Sequence, residues 1–150
     1  SEVGTDTLAL ADRESFTTLS AVVSASKKAY KKAGITPADI YIAEVHDCFS
    51  IAEVIAVEDL GFSKRGKGAK DISEGKMTLN SGKLVVNPSG GLKACGHPVG
   101  ATGIKQIVEI VEQLREKAGD RQVKNAKIGL AQNVGGTGAT VTVHILEKSD

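Results

Sequence analysis

The chain has 150 residues, of which 41% are hydrophobic and 25% are charged, a composition typical of one soluble globular domain of ordinary size. Nineteen basic residues balance eighteen acidic ones, and the formal net charge of +1 favours neither nucleic acid nor a membrane surface as a partner. Only 3% of the residues are aromatic, and no apolar run approaches the roughly 18 residues that a membrane span needs. Two cysteines cannot form a disulfide framework, and no secretory signal is recognisable, so a cytoplasmic protein is expected.

The first half of the chain predicts helices on either side of a buried strand. Residues 1–14 show no clear periodicity. The first helix is supported by the lysines in its last turns and by Gly34, a typical helix stop. Ser50 is a suitable N-cap for the second helix. The predicted elements are an amphipathic helix over 15–33, a mostly apolar strand over 40–45 and a helix over 50–60.

The second half predicts three further strands and one long helix. The predicted elements are a loop over 63–83 with a single helical turn, a strand over 84–87, a helix over 104–118, and strands over 128–131 and 139–146. Strands that alternate with helices indicate an α/β fold, in which helices cover a mixed, mainly parallel sheet. The last two strands are expected to form an antiparallel hairpin.

Unusual sequences follow three of the four predicted strands, and ligand-binding loops gather at the carboxyl ends of strands in such folds. His46 and Cys48 follow the first strand, His97 lies in a glycine-rich passage after the second, and residues 133–136 follow the third. Two histidines and a cysteine at one edge are the ingredients of thiol-based acyl chemistry. In that chemistry an imidazole takes a proton from a thiol and backbone N–H groups hold an oxyanion.

Other interpretations of these residues stay open at this point. His46 and Cys48 are also typical of a hydrogen-bonded loop histidine and a buried thiol, and His97 precedes a proline, as turn residues often do. Together with Cys95 they could bind zinc, although their spacing is not the one typical of structural zinc sites. The glycine-rich loop over 96–103 lacks the ending of a phosphate-binding P-loop, although the helix N-terminus that it opens could bind an anion.

Three motifs resemble, in order and spacing, the C-terminal half of thiolases. The motifs are His46-Asp47-Cys48-Phe49, the run GGLKACGHPVGATG over 90–103 and the run NVGGTG over 133–138. They are most similar to thiolases of the sterol-carrier-protein or lipid-transfer type, which include archaeal and bacterial acetyl-CoA acetyltransferases. The resemblance implies that residues 1–150 form a thiolase C-terminal domain. It also implies that the first strand of this half falls just before Ser1 and that the N-terminal catalytic domain lies outside these residues.

The resemblance also implies roles for individual residues. His97 corresponds to the histidine that activates the nucleophilic cysteine, and Gly135 corresponds to a backbone donor of an oxyanion hole. His46 occupies the position that orients a water or the thioester oxygen. Asn133 stands where most thiolases carry an acid/base cysteine, and in the sterol-carrier type Cys48 takes over this proton transfer.

The activity implied by the resemblance is that of an acyltransferase. Thiolases carry out Claisen condensation or thiolysis of acetoacetyl-CoA-type thioesters, with the coenzyme A thioester as substrate and no covalently bound cofactor or metal. Because the nucleophilic cysteine comes from the N-terminal half, the 150 residues alone are expected to be inactive. Two alternatives are a non-catalytic thiolase-like scaffold that binds acyl-CoA or a partner protein, and a thiolase-like aldolase subunit.

The resemblance further implies several protein partners. They are the N-terminal thiolase domain, further copies of the enzyme in a homo-oligomer, hydroxymethylglutaryl-CoA synthase, and a protein that contains an OB-fold and a zinc ribbon. Neither nucleic acid nor a membrane is expected as a partner.

Overall fold

Five strands form one mixed sheet in the computed structural model, which describes residues 1–149. The strands are β1 (Glu2–Thr5), β2 (Ile42–Glu44), β3 (Val85–Val86), β4 (Ile128–Gly135) and β5 (Thr140–Glu147). Their order across the sheet is β1-β5-β4-β2-β3. Strand β2 pairs in parallel with β3 and β4, whereas β5 runs antiparallel to both β4 and β1. The α/β fold and its C-terminal hairpin are therefore confirmed.

Five α-helices connect or flank these strands. They are α1 (Ser20–Ala33), α2 (Ser50–Asp59), α3 (Gly68–Ser73), α4 (Gly91–Cys95) and α5 (Thr102–Leu114). Short 3₁₀ turns lie at Leu10–Asp12, Pro37–Asp39 and Gly119–Arg121. Within residues 1–149, no helix is long and apolar enough to cross a membrane.

The two faces of the sheet bury separate apolar clusters. Successive strand residues point to opposite faces, so Ala43 packs in the cluster that contains Val22 of α1, whereas Ile42 packs against Ile110 of α5. Helices α1 and α2 contribute to the first cluster and α5 to the second. The sheet is thus covered on both sides, and its carboxyl edge is left to the loops.

The first strand of the sheet lies within the chain, which corrects the expectation that it falls just before Ser1. Strand β1 pairs with β5 at the sheet edge, and Gly4 lies opposite Val141. A Cβ at Gly4 would collide with the backbone carbonyl of Ala21, so β1 is packed directly against α1. Strand β1 has only four residues, and its Val3 is exposed. Apolar and polar residues therefore alternate too little there to predict a strand.

Two further differences concern the elements that carry the motifs. Helix α4 was not expected, and β4 continues to Gly135 instead of ending near residue 131. The extension arises because β4 stays in register with β5 as far as the pair of Gly135 and Thr140. Asn133 and Gly135 therefore lie in a strand and not in a turn.

Candidate active site

The carboxyl ends of β2 and β4 open at the same edge of the sheet, because the two strands are parallel neighbours with Glu44 beside Ala131. His46 and Cys48 follow β2, and Asn133 lies near the end of β4. The loop between α4 and α5 brings the glycine-rich motif to this edge.

Two histidines that are far apart in sequence meet there. The rings of His46 and His97 lie edge to face, with their centroids 4.9 Å apart and their planes at 90°. His46 is buried, with 5% of its surface exposed, whereas His97 is exposed. The structure thus brings two of the predicted site residues into direct contact and gives them different access to solvent.

The buried histidine is held by two neighbouring residues of β4. The backbone N–H of His46 donates to Gln132 Oε1 at 2.9 Å, and its ring Nδ1 lies 2.8 Å from Asn133 Oδ1. Burial lowers the pKa of His46, and the neighbouring His97 lowers it further, against the opposing effects of the Asn133 hydrogen bond and of Asp47. The net lowering of this pKa favours the neutral form of His46.

The exposed histidine is held by its own loop. His97 Nδ1 lies 2.7 Å from Thr102 Oγ1, and this hydroxyl donates to the carbonyl oxygen of Pro98 at 3.2 Å. Because the hydroxyl proton is engaged with Pro98, the oxygen accepts the Nδ1 proton of His97. The neutral ring then presents Nε2 as a free base.

The other two predicted site residues lie at the same edge. Cys48 is half-buried in the loop before α2, and Gly135 is exposed at the end of β4. Among the hydrogen bonds of residues 1–149, none joins Cys48 or Gly135 to either histidine. The nearest atom to a Cβ placed on Gly135 would be 3.5 Å away, so the local packing leaves room there.

Asp47 joins the loop of His46 to the loop of His97. Its buried carboxylate accepts the backbone N–H of Leu92 at 2.7 Å and that of Lys93 at 3.4 Å, so it caps the start of α4. Gly91 has a φ of +63°, and a Cβ there would collide with the Asp47 carboxylate. An acidic residue directly after a buried strand was the only signal in the sequence for this contact.

An ion pair with a buried carboxylate connects the elements that carry both loops. Glu44 is 1% exposed and lies 3.2 Å from Lys105 Nζ of α5, while Ser89 donates its hydroxyl to the same carboxylate at 2.8 Å. Burial raises the pKa of Glu44, and both the Lys105 ammonium and the Ser89 hydrogen bonds oppose that rise. This pair joins the end of β2 to the helix that follows His97, and sequence reasoning missed it.

Cys95 makes no hydrogen bond to either histidine among the residues that the structure describes. Its exposed thiol contacts the carbonyl oxygen of Ser89 at 3.4 Å. In the described part of the chain, no three His, Cys, Asp or Glu side chains are arranged to hold a metal ion.

Helices on both faces of a mixed sheet, and loops meeting at its carboxyl edge, define a layered α/β domain. A family model described as thiolase C-terminal domain-like matches residues 3–148. The chain belongs to this thiolase C-terminal domain family.

Relatives of this chain are longer proteins. It is 54% identical over 142 residues to an acetyl-CoA acetyltransferase of Methanothermobacter thermautotrophicus, a match that covers 95% of this chain and 37% of that protein. It is 50% identical over 117 residues to human sterol carrier protein 2, covering 78% of this chain and 21% of that protein. The chain therefore spans well under half the length of these curated relatives, and its resemblance to the sterol-carrier type is confirmed.

Among the solved structures that share the fold are an aldolase and a thiolase. The Ltp2-ChsH2(DUF35) aldolase superposes with a TM-score of 0.82 at 22% identity, over 99% of this chain and 38% of that one. At that identity the match shows the fold alone. Peroxisomal 3-ketoacyl-CoA thiolase of Saccharomyces cerevisiae superposes with a TM-score of 0.58 at 26% identity, over 85% of this chain and 29% of that one. It is described as a five-layered α-β-α-β-α structure built from two core domains of identical topology.

Proposed function

We propose that this chain is the C-terminal half of an acetyl-CoA acetyltransferase that thiolyses acetoacetyl-CoA-type thioesters and runs the reverse Claisen condensation. The observation that carries the proposal is the contact of His46 with His97 at the carboxyl edge of the sheet, with His97 Nε2 left free as a base. The 54% identity to an acetyl-CoA acetyltransferase supports it.

In the first half of the proposed condensation, His97 Nε2 takes the thiol proton of a cysteine supplied by the N-terminal domain. The thiolate attacks the carbonyl carbon of acetyl-CoA, and the oxyanion that forms is stabilised by hydrogen-bond donors. The C–S bond to coenzyme A then breaks, and the departing thiolate takes the proton from His97. The products are an acetyl-enzyme and free coenzyme A.

In the second half, Cys48 as a thiolate removes an α-proton from a second acetyl-CoA. The resulting carbanion attacks the acetyl-enzyme carbonyl, the enzyme thiolate leaves, and acetoacetyl-CoA forms. The proton that Cys48 removed then returns to the enzyme thiolate, which restores the starting state. The backbone N–H of Gly135 donates to the oxyanion, and His46 orients a water or the thioester oxygen. Thiolysis is the same sequence in reverse.

The N-terminal domain is the partner proposed to supply the nucleophile, and α5 offers it an apolar face. Ile104 and Val108 lie one turn apart on α5, with 67% and 49% of their surfaces exposed, and the nearby Val99 is 82% exposed. Exposed apolar patches of this kind typically mark interaction surfaces. Association into homo-oligomers, with hydroxymethylglutaryl-CoA synthase, and with an OB-fold and zinc-ribbon protein stays a prediction.

A test uses the enzyme that contains this chain together with its N-terminal domain. We expect Cys48→Ala to lower the rate of acetoacetyl-CoA thiolysis about 10²- to 10⁴-fold, as loss of a general acid/base does. The variant should still gain an acetyl group from acetyl-CoA, measured by mass spectrometry. The matched control is Cys95→Ala, which removes an exposed thiol that is hydrogen-bonded to the Ser89 carbonyl oxygen and should leave the rate close to that of the wild type.

Other outcomes would select the alternatives. A scaffold would bind acyl-CoA without turnover in the wild type and in both variants. An aldolase subunit, with the fold that the Ltp2-ChsH2(DUF35) aldolase shares, would cleave a β-hydroxyacyl-CoA without free coenzyme A and would form no acetyl-enzyme. Rapid thiolysis by the 150 residues alone would contradict the proposal that the N-terminal domain supplies the nucleophile.

A further inference from the structure

The contact between His46 and Asn133 joins two of the motifs. His46 Nδ1 lies 2.8 Å from Asn133 Oδ1, and Asn133 is fixed on β4 by pairing with Thr142 of β5. A Cβ at Gly103 of α5 would lie 2.8 Å from Asn133 Nδ2, so the amide is packed between strand and helix. Its orientation, and with it the orientation of the His46 ring, is therefore tightly constrained.

The surroundings of His46 disfavour a positive charge on its ring. The ring is buried, and its edge-to-face contact with His97 means that two imidazolium ions would repel each other at close range. The Asn133 hydrogen bond and the carboxylate of the adjacent Asp47 oppose this effect, and that carboxylate is already engaged with the backbone N–H groups of α4. If His97 is to accept a thiol proton, His46 has to stay neutral.

We propose that Asn133 is a positioning residue: it fixes the proton of neutral His46 on Nδ1 and leaves Nε2 free, without bringing the charge that would favour the imidazolium form. Its consequence for turnover rests on the function proposed above. The hydrogen bond itself does not depend on that function.

The chemistry of the amide explains why Asn suits this position better than Asp. A carboxylate that accepts from Nδ1 strongly favours the imidazolium form of a histidine, because it brings an opposite charge within hydrogen-bond distance. An amide orients the ring without bringing a charge. Asn133→Asp is nearly isosteric, and therefore changes the charge beside Nδ1 with little change in packing.

The direct test measures the protonation of His46 by NMR in the full enzyme with isotope-labelled histidine. The His46 signal is assigned by its loss in His46→Gln. We expect Asn133→Asp to raise the pKa of His46 by about one unit or more. Asn80→Asp, the same change at an exposed position outside the site, should leave the pKa of His46 unchanged. An unchanged His46 titration in Asn133→Asp would overturn the proposal.

The pH dependence of thiolysis gives a second readout. A raised pKa keeps His46 charged over a wider range, so the rate loss in Asn133→Asp should grow as the pH falls through the new pKa and recover as the pH rises through it. Asn133→Ala adds no charge, so its loss should be the same at every pH. If both variants lose the same factor throughout, the role of Asn133 is structural only and the proposal fails.

Failure of this inference can be told apart from failure of the proposed function. Absence of thiolysis in the wild type would contradict the function, while the NMR titration would still decide the role of Asn133. Thermal unfolding shows whether Asn133→Asp is folded. If it is not, Asn133→Ala carries the test, since it should free Nδ1 and shift the His46 nitrogen signals, and unchanged signals would overturn the proposal.

Discussion

The two loops that carry His46 and His97 hold their histidines in different ways. His46 is buried and is fixed by Gln132 and Asn133, two residues of a strand more than 80 positions away. His97 is exposed and is fixed by Thr102, five positions away in its own motif.

This difference in burial and support suits the two histidines to different tasks. A buried imidazole with a lowered pKa keeps one charge state and suits the orientation of a neighbouring group. An exposed imidazole with a free Nε2 suits proton exchange with a thiol brought by another domain. We therefore expect His97 to matter for turnover more than for folding, and the connection between the loops to matter for both.

The largest expected effect follows from replacing His97. In the full enzyme, His97→Ala should lower kcat for acetoacetyl-CoA thiolysis about 10³-fold, within the range typical of general acid/base catalysis. Because the side chain is exposed, the free energy of unfolding should change by about 0.5 kcal/mol or less. Enzyme kinetics and denaturant unfolding measure the two quantities.

The control for His97 is His144→Ala on β5, where the ring contacts Ser1 and not the site. It should leave kcat unchanged. If His97→Ala lowered the free energy of unfolding as much as replacing a buried side chain does, that result would contradict the division of tasks between the two loops.

A smaller effect is expected at the ion pair that connects the loops. Lys105→Met leaves Glu44 buried, and breaking a buried pair costs about 3–5 kcal/mol. Here we expect about 2 kcal/mol, because the Lys105 side chain is 32% exposed and Ser89 still donates to the carboxylate. Lys148→Met breaks an exposed pair with Glu116, and should have no measurable effect on stability.

The stability lost in Lys105→Met should depend on pH. The pKa of Glu44 is raised in the folded protein by burial, and loss of the ammonium raises it further. Above the unfolded value of about 4.5 the folded state then binds a proton that the unfolded chain has released, so the free energy of unfolding falls as the pH rises. Urea unfolding at pH 5 and pH 8 should show the larger deficit at pH 8, and an equal deficit would argue against a buried charge at Glu44.

Local sequence patterns were enough to predict helices α1, α2 and α5 and the strand before His46. Their signals are apolar periodicity and capping residues, which act over a few positions. The same patterns missed β1, whose stability comes from pairing with β5 at the other end of the chain. They also missed α4, a five-residue helix capped by Asp47 from more than 40 positions away.

The candidate site, like the fold, could be predicted from the sequence only in part. The motifs pointed to His46, Cys48, His97 and Gly135, but no local rule indicates that Asn133 contacts the His46 ring or that Lys105 reaches Glu44. Such contacts depend on the register of β2 beside β4 and on the packing of α5 against the sheet, which only the folded chain defines.

The smallest expected effect concerns the residue that holds His97 locally. Thr102→Val keeps the shape of a buried side chain and removes the acceptor for His97 Nδ1, so the ring is free to change its tautomer and rotate. We expect about a tenfold loss in kcat, comparable to the loss of one net hydrogen bond of about 1.4 kcal/mol. Thr102→Ser retains the hydroxyl and should stay close to the wild type. If Val and Ser lower kcat equally, His97 is positioned by its backbone and not by the hydroxyl, and the contrast between a loop held locally and a loop held by a distant strand would no longer explain the site.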